Sequence, residues 1–296
     1  NAIINCFEDL KDSKMYITLE PCNHYGKTPP CTNNIIKNKI SEVYYSIDDI
    51  DVKVKGKSYS ILKKNNINVK KGLLKKESLN LYKSYYLNRK KKLPYVIGKI
   101  ALSKNKIIYS DISKKITNKK SDKLTHYLRL KCDGIMITSK TLNIDNPKLN
   151  CRLEGYTQRS PKRIILDKNL KIDLKSYVVK SIKNKNTIIF YNSNNKIKKN
   201  FLIKKGAFLI NQTTQRHKNF DLKKILKKLY MLGIKNLLVE GGDKLTKSFL
   251  KKSMFNEFYM FKSSKNLLKK DKYVNFTSSD ILNTKYDVYK KNFKLG

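Results

Sequence analysis

The chain is 296 residues long with 40% hydrophobic content, enough for two domains with real cores and too much for wholesale disorder. Its formal net charge of +43 rests on 66 Lys and Arg; only six are Arg, the residue suited to bidentate reading of bases and phosphates, and the lysines run along the whole chain among Asn and Ile, so solvated faces account for them better than a nucleic-acid surface. No apolar run nears the ~20 residues that cross a bilayer, no secretory or lipidation signal is present, and five cysteines make no disulfide framework, so a reducing cytoplasm and no membrane partner are expected.

In chain order, Asn1 to Leu10 reads as the tail of a helix, with Ile3, Ile4, Phe7 and Leu10 on one face. A strand over Met15–Leu19 leads into a loop, and a helix-like run over Thr32–Ile40 leads out. A strand over Glu42–Ile47, a helix near Ser58–Lys64, a strand over Ile67–Lys70 and a helix near Lys76–Asn88 follow. This alternation predicts a mostly parallel sheet covered by helices. The polar run from Asn88 to Pro94 resets the pattern, placing a boundary that gives domains 1–92 and 93–296.

The second domain is expected to carry strands at Tyr95–Ala101, Gly134–Thr138, Arg163–Leu166, Thr187–Tyr191, Ala207–Ile210, Leu237–Glu240 and Phe255–Phe261. Its helices are expected at Lys119–Lys131, Asp221–Leu232 and Lys244–Lys252. Asp221 is placed as an N-cap and Gly233 as a stop. The Lys/Asn-rich segments Lys180–Asn186 and Asn192–Asn200 read as surface loops.

The loop Leu19–Cys31, LEPCNHYGKTPPC, carries the strongest chemistry. Cys22 and Cys31 are separated by eight residues and stiffened by Pro21, Pro29 and Pro30. Two thiolates plus one imidazole from elsewhere make a three-ligand zinc site that keeps a fourth position open for water. In zinc deaminases that imidazole comes from a His-x-Glu pair on a preceding helix, and the Glu is the acid/base. The bland alternative is a loop with two unrelated cysteines. A second element, Leu237-Leu-Val-Glu-Gly-Gly-Asp243, is a buried strand ending in two glycines at a helix start. Backbone N–H groups there form a ready phosphate cradle, although a tight turn alone would look the same.

These motifs resemble one family, the bifunctional deaminase/reductase of riboflavin biosynthesis. Leu19, Glu20, Pro21, Cys22, Gly26, Lys27, Thr28, Pro29, Pro30 and Cys31 match its deaminase loop. The spacing differs from that of nucleic-acid and free-cytidine deaminases, whose second thiol follows two residues after the first. The resemblance implies an α/β chain: a cytidine-deaminase-like three-layer domain, incomplete at its N-terminus, then a dihydrofolate-reductase-like domain. It implies Cys22 and Cys31 as Zn2+ ligands and Lys27 as a basic residue near the substrate, with a solvated lysine as the alternative. The family's His-Ala-Glu would stand just before residue 1, so these 296 residues by themselves are expected not to deaminate. His24 reads as a loop-packing or substrate-contact residue and not as the third ligand.

The same resemblance extends through the second domain. Lys99-Ile-Ala-Leu-Ser103 matches a family strand, with Lys99 catalytic and Ala101 facing the cofactor; Asn105 and Lys106 stand where the family has Asp and Gly. Ser113 is a candidate substrate contact, and Lys115 replaces a family tryptophan. Arg129, Thr141, Asp145, Pro147, Leu149 and Arg152 keep the family's order and spacing. Arg129, Leu149, Arg152 and Glu240 are implied as substrate contacts, since arginines bind a ribose phosphate through charge-assisted hydrogen bonds. Thr141, Asp145, Gly241, Gly242, Asp243, Lys244, Leu245 and Thr246 are implied as NADPH contacts. The implied partners are small phosphorylated pyrimidines and further copies of the chain in a homo-oligomer, with no specific nucleic acid. Two rivals are a reductase with a vestigial deaminase domain and a basic nucleic-acid-associated protein. Cys6, Cys132, Cys151, His126 and His217 carry no motif.

Overall fold

The computed structural model describes residues 2–26, 28–110, 116–213, 219–268 and 273–276. The chain divides into two compact units, Asn1–Lys92 and Leu93–Gly296.

The first unit runs β1 (Lys14–Leu19), α1 (Cys31–Lys37), β2 (Glu42–Ile47), α2 (Lys57–Lys64), β3 (Asn68–Lys71), α3 (Lys75–Leu81) and α4 (Lys83–Lys91). Its three strands are parallel in the order β1-β2-β3. Val43, Tyr45, Ile35, Leu62 and Val69 form a small core between sheet and helices. Two expectations fail here. Residues 2–10 form turns and no helix: Ile3 and Leu10 pack against the core while Ile4 and Phe7 stand exposed, so only half of the expected apolar face is buried, and a single short helix is marginal in water. The helix near Lys76–Asn88 is two helices, because Tyr82 leaves helical geometry at φ −93° and ψ 9°.

The second unit opens with β4 (Tyr95–Leu102), β5 (Ile107–Ser110), α5 (Lys119–Leu130), β6 (Gly134–Thr138) and α6 (Ser139–Asp145). It continues with β7 (Lys162–Leu166), α7 (Tyr177–Lys180), β8 (Thr187–Tyr191), α8 (Lys196–Lys204) and β9 (Phe208–Asn211). It closes with α9 (Leu222–Met231), β10 (Asn236–Val239), α10 (Asp243–Lys251), β11 (Glu257–Lys262) and β12 (Tyr273–Asn275). Seven strands form one parallel sheet in the order β11-β4-β10-β6-β7-β8-β9, and β12 pairs antiparallel with β5. Near-continuous apolar strands such as Thr187–Tyr191, buried at every residue, are what a sheet covered on both faces requires.

Local chemistry explains most boundaries. Asp221 caps α9 by accepting the N–H groups of Lys223 and Lys224, and Gly233 takes φ +86° just past its end, as its sequence predicts. By contrast, Lys196–Lys204, which starts within the segment Asn192–Asn200 read as a loop and runs past it, is helical: Asn195 caps it at Lys198 N–H, and Leu202 is fully buried beneath a Lys-rich face. One apolar anchor and one cap outweigh the low-complexity look.

Gly98, on β4 between β10 and β11, lets the rings of Phe255 and Phe258 close over the strand; an added Cβ would lie 2.5 Å from Phe258 Cδ2 and 2.6 Å from Phe255 Cε1. Gly98→Ala is therefore expected to destabilise the second unit by about 1–3 kcal/mol through overpacking. A lower urea midpoint with an unchanged slope is the result to look for; an unshifted midpoint would show that the aromatic cluster yields freely.

Candidate functional site

The charged and polar side chains of the second unit converge at the carboxyl ends of β10 and β6, where parallel sheets ordinarily bind ligands. A cavity of about 330 Å³ is lined by Lys99, Thr117, Asp122, Thr125, His126, Arg129, Arg152 and Glu240. The 3.6-residue period puts Asp122, Thr125, His126 and Arg129 on one face of α5, whose start is fixed by a capping box between Asn118 and Ser121. Glu240 follows directly on β10, and Lys99 projects from β4.

A bidentate ion pair anchors the cavity. Arg129 Nε donates to Glu240 Oε1 at 2.8 Å and Nη2 to Oε2 at 2.9 Å, while Nη1 donates to the Asn150 carbonyl at 3.1 Å. Both side chains are nearly buried. Burial by itself would raise the Glu240 carboxyl, but the charge and hydrogen bonds of Arg129, with Lys99 and His126 behind them, hold it below its ordinary value. Arg129 thus directs its two-pronged edge at Glu240, leaving Arg152 as the more open cation. The Arg152 guanidinium is exposed, with Nη1 on Asn150 Oδ1 at 2.9 Å. Burial pushes the Lys99 ammonium below its ordinary value, Glu240 opposing and Arg129 adding to the shift. Its Nζ lies 5.3 Å from the Phe261 ring centre.

Beside the cavity, α10 begins at Gly242 with no side-chain cap, so its first N–H groups are free to meet a ligand. An added Cβ at Gly241 would press on Leu245 at 2.9 Å, and one at Gly242 would stand 3.5 Å from Thr141 Oγ1. The cradle and the α6 hydroxyls therefore face one space. Asp243 pairs with Lys247 at 2.9 Å. Leu245 and Thr246 are buried in the first turn of α10, where they shape the helix start. Asp145 ends α6 exposed, Leu149 is buried at φ +55°, and Ala101 pairs with Phe261 on β11. Ser113 and Lys27 lie outside the described residues. The residues that sequence reasoning left unassigned are Thr117, Asp122, Thr125 and His126; the helical spacing back from Arg129 was the signal that could have found the last three, while Thr117 lies before the helix. A larger cavity of about 420 Å³ at the opposite strand ends is lined by Leu130, Cys132, Asp133, Pro161 and Ile234, among others. Asp133 Oδ2 there already accepts the N–H groups of Lys235 and Asn236, and the other lining groups offer no comparable cluster.

In the first unit, Cys22 and Cys31 bring their sulfurs to 3.4 Å, and the Cys31 N–H points at Cys22 Sγ at 3.3 Å. The loop is held by Glu20, 3% exposed, whose carboxylate accepts the N–H groups of Asp49, Gly56 and Ser58 at 3.0–3.2 Å. Among the described residues, no three His, Cys, Asp or Glu side chains converge as a metal site. His24 Nδ1 is buried without a partner among the described residues.

Comparison with known proteins gives this geometry a class. The family model of the RibD C-terminal domain matches residues 106–269, so the second unit is a reductase domain. The chain is 34% identical over 256 residues to the riboflavin biosynthesis protein RibD of Aquifex aeolicus, covering 86% of this chain and 70% of that protein. It superposes on RibD of Acinetobacter baumannii with a TM-score of 0.74 at 25% identity, covering 85% and 69% of the two chains. A Thermotoga maritima protein described as a diaminohydroxyphosphoribosylaminopyrimidine deaminase/5-amino-6-(5-phosphoribosylamino)uracil reductase gives a TM-score of 0.76 at 30% identity, covering 88% and 70%. The chain belongs to the RibD family of riboflavin biosynthesis enzymes.

Removing Glu240 leaves the Arg129 guanidinium buried without its partner, so Glu240→Ala should cost about 3–5 kcal/mol. The double variant Arg129→Met/Glu240→Leu should be more stable than Glu240→Ala, because no lone charge remains. Urea titrations of both decide it; additive losses would mean that the two side chains are not energetically coupled.

Proposed function

We propose that the second unit reduces the ribosyl group of 5-amino-6-(5-phosphoribosylamino)uracil to the ribityl product with NADPH. The observation that carries this reading is one cavity holding Lys99, Arg152 and the Arg129–Glu240 pair beside the uncapped, glycine-lined start of α10. That start fits a dinucleotide: free backbone N–H groups and the positive end of a nine-residue helix suit a pyrophosphate. Gly241, Gly242 and the N–H groups of Asp243 and Lys244 would hold it, with Thr141 beside them, and Leu245 and Thr246 would keep the first turn in place. NADPH supplies hydride when bound.

The protein's own part is binding and proton control. Arg152 takes the substrate phosphate. Glu240, kept ionised by Arg129, accepts hydrogen bonds from sugar hydroxyls or ring N–H groups. Lys99 holds a proton on Nζ within the cavity, and its lowered pKa makes that proton easier to give to the sugar oxygen that becomes a hydroxyl on reduction.

In the first unit, Cys22 and Cys31 are proposed as two zinc ligands of the deaminase that acts on 2,5-diamino-6-(5-phosphoribosylamino)pyrimidin-4-one. Two thiolates on one tetrahedral zinc, each ~2.3 Å from it, stand ~3.7 Å apart, close to the observed 3.4 Å. Zinc would supply an activated water, and Glu20 keeps the thiol loop in place. The described residues provide two of the three protein ligands such a site needs.

Each unit has its own tests. Purified chain should oxidise NADPH only when given the deaminated, phosphorylated substrate, and absence of both NADPH binding and turnover would sink the reading. Turnover should fall on the alkaline side below pH 10.5, the ordinary lysine value, as Lys99 loses its proton; Lys99→Gln should lower kcat by roughly 100-fold. Gly242→Val should weaken NADPH binding roughly tenfold, or 1.4 kcal/mol, without unfolding the chain, since Gly242 sits at φ −71°, which valine adopts freely. For the first unit, cobalt loading should give a thiolate charge-transfer band that Cys22→Ser diminishes; no band would count against metal there.

A further inference from the structure

We propose that His126 is the positioning residue for Arg152: its ring grips the backbone from which the phosphate-binding guanidinium leaves. This rests on Arg152 as the residue that takes the substrate phosphate. His126 lies one helical turn before Arg129 on α5 and is 7% exposed. Its Nδ1 accepts the backbone N–H of Arg152 at 3.2 Å. The ring also hydrogen-bonds the Asn150 backbone carbonyl, which it can do only as a donor. A neutral imidazole has one acceptor and one donor, and both are spent on the stretch from Asn150 to Arg152. Two further bonds close the grip. Arg129 Nη1 donates to the same Asn150 carbonyl at 3.1 Å, and the Cys151 thiol donates to the His126 carbonyl at 3.6 Å.

The grip sets the course of the Arg152 side chain. Cys151 is fully buried and Arg152 exposed, so the chain passes from core to cavity within one residue. An arginine has many rotatable bonds, and where its guanidinium reaches depends on where its backbone is fixed. Arg152 Nη1 rests on Asn150 Oδ1 at 2.9 Å, and Asn150 is the other residue the ring holds. One imidazole therefore places both the cation and the side chain that steadies it. The arrangement works only with the ring neutral, because a proton on Nδ1 would meet the Arg152 N–H donor to donor. That proton would also stand among the cations of Arg129 on α5, Arg152 and Lys99 on β4, with Asp122 on α5 and Glu240 at the end of β10 as the opposing carboxylates. Burial first, then Arg129 and Arg152, push the imidazole below its ordinary value, in keeping with a ring that accepts.

A double-mutant cycle separates this role from a purely structural one. His126→Leu removes both hydrogen bonds and should raise KM for the phosphorylated substrate roughly tenfold, the upper worth of a neutral hydrogen bond, with kcat little changed. Arg152→Gln should raise KM further. Adding His126→Leu to Arg152→Gln should then cost nothing more, because His126 acts through Arg152. With the dephosphorylated ribosylamino analogue, His126→Leu and wild type should share one KM. His126→Asn offers an acceptor near Nδ1 and an amide donor but does not titrate, so it supplies a pH readout. Wild type should lose affinity relative to His126→Asn as the pH falls below 6.5, the ordinary histidine value; titration of the substrate's own phosphate cancels in that ratio. The proposal is overturned if His126→Leu behaves as wild type, if its penalty persists in full beside Arg152→Gln, or if the ratio stays flat with pH. Unchanged NADPH affinity reports that each variant is folded, and should His126→Leu lose it, the pH ratio alone decides. Should wild-type protein show no NADPH-dependent turnover, the functional reading falls, and the same cycle run by calorimetric titration with inorganic phosphate decides His126. A loss confined to proteins that keep Arg152 supports the role; no loss, an additive loss, or no phosphate binding by wild type overturns it.

Discussion

The Arg129–Glu240 pair is the constraint on which the reductase cavity depends. A carboxylate at the end of a buried parallel strand would be costly alone, and so would a guanidinium on the inner face of α5. Joined by two hydrogen bonds of 2.8 and 2.9 Å, they tie the β10 end to the helix and fix one wall of the cavity. The third bond, from Arg129 to the Asn150 carbonyl, brings in the segment that carries Arg152. Three parts of the chain distant in sequence are thereby referenced to one guanidinium. The same bonds set the two arginines apart: Arg129 supports a negative wall, and Arg152 keeps the more exposed guanidinium.

Charge on the rest of the surface has a different character. Many lysines lie along aromatic faces, as Lys235 does 3.2 Å from the Tyr230 ring centre and Lys131 at 4.5 Å from that of Tyr127. Such stems cover apolar surface while their ammonium groups stay in water. A lysine-rich chain can in this way do the covering work of larger apolar side chains.

Much of the architecture was legible in the sequence, and the exceptions have causes. The seven strands of the second unit's parallel sheet announce themselves as largely apolar runs, and α9 by Asp221 and Gly233, whereas the short antiparallel pair β5 and β12 was not foreseen. The α8 helix was hidden because composition speaks for a whole window, whereas Asn195 and Leu202 act as single residues. The break at Tyr82 depends on which face each half-helix buries, a tertiary matter without a local signal. Motifs located Arg129, Arg152 and Glu240, yet no motif says that two of them bind each other. His126 was passed over for a related reason: a lone histidine means nothing until the backbone of Arg152 is seen to hold its Nδ1.

The pairing of β4 bears on how this chain is made. Both sheet neighbours of Tyr95–Leu102 are strands from far downstream, Asn236–Val239 and Glu257–Lys262. As the ribosome delivers the chain, β4 emerges early and waits, an apolar strand with unmet backbone groups, until nearly the whole second unit has been synthesised. Non-local pairing of this kind is slow to form and exposed to association meanwhile. Nascent protein is thus most in need of chaperone protection in the interval between these strands, and Lys99, carried on β4, reaches its place in the cavity only once they have paired.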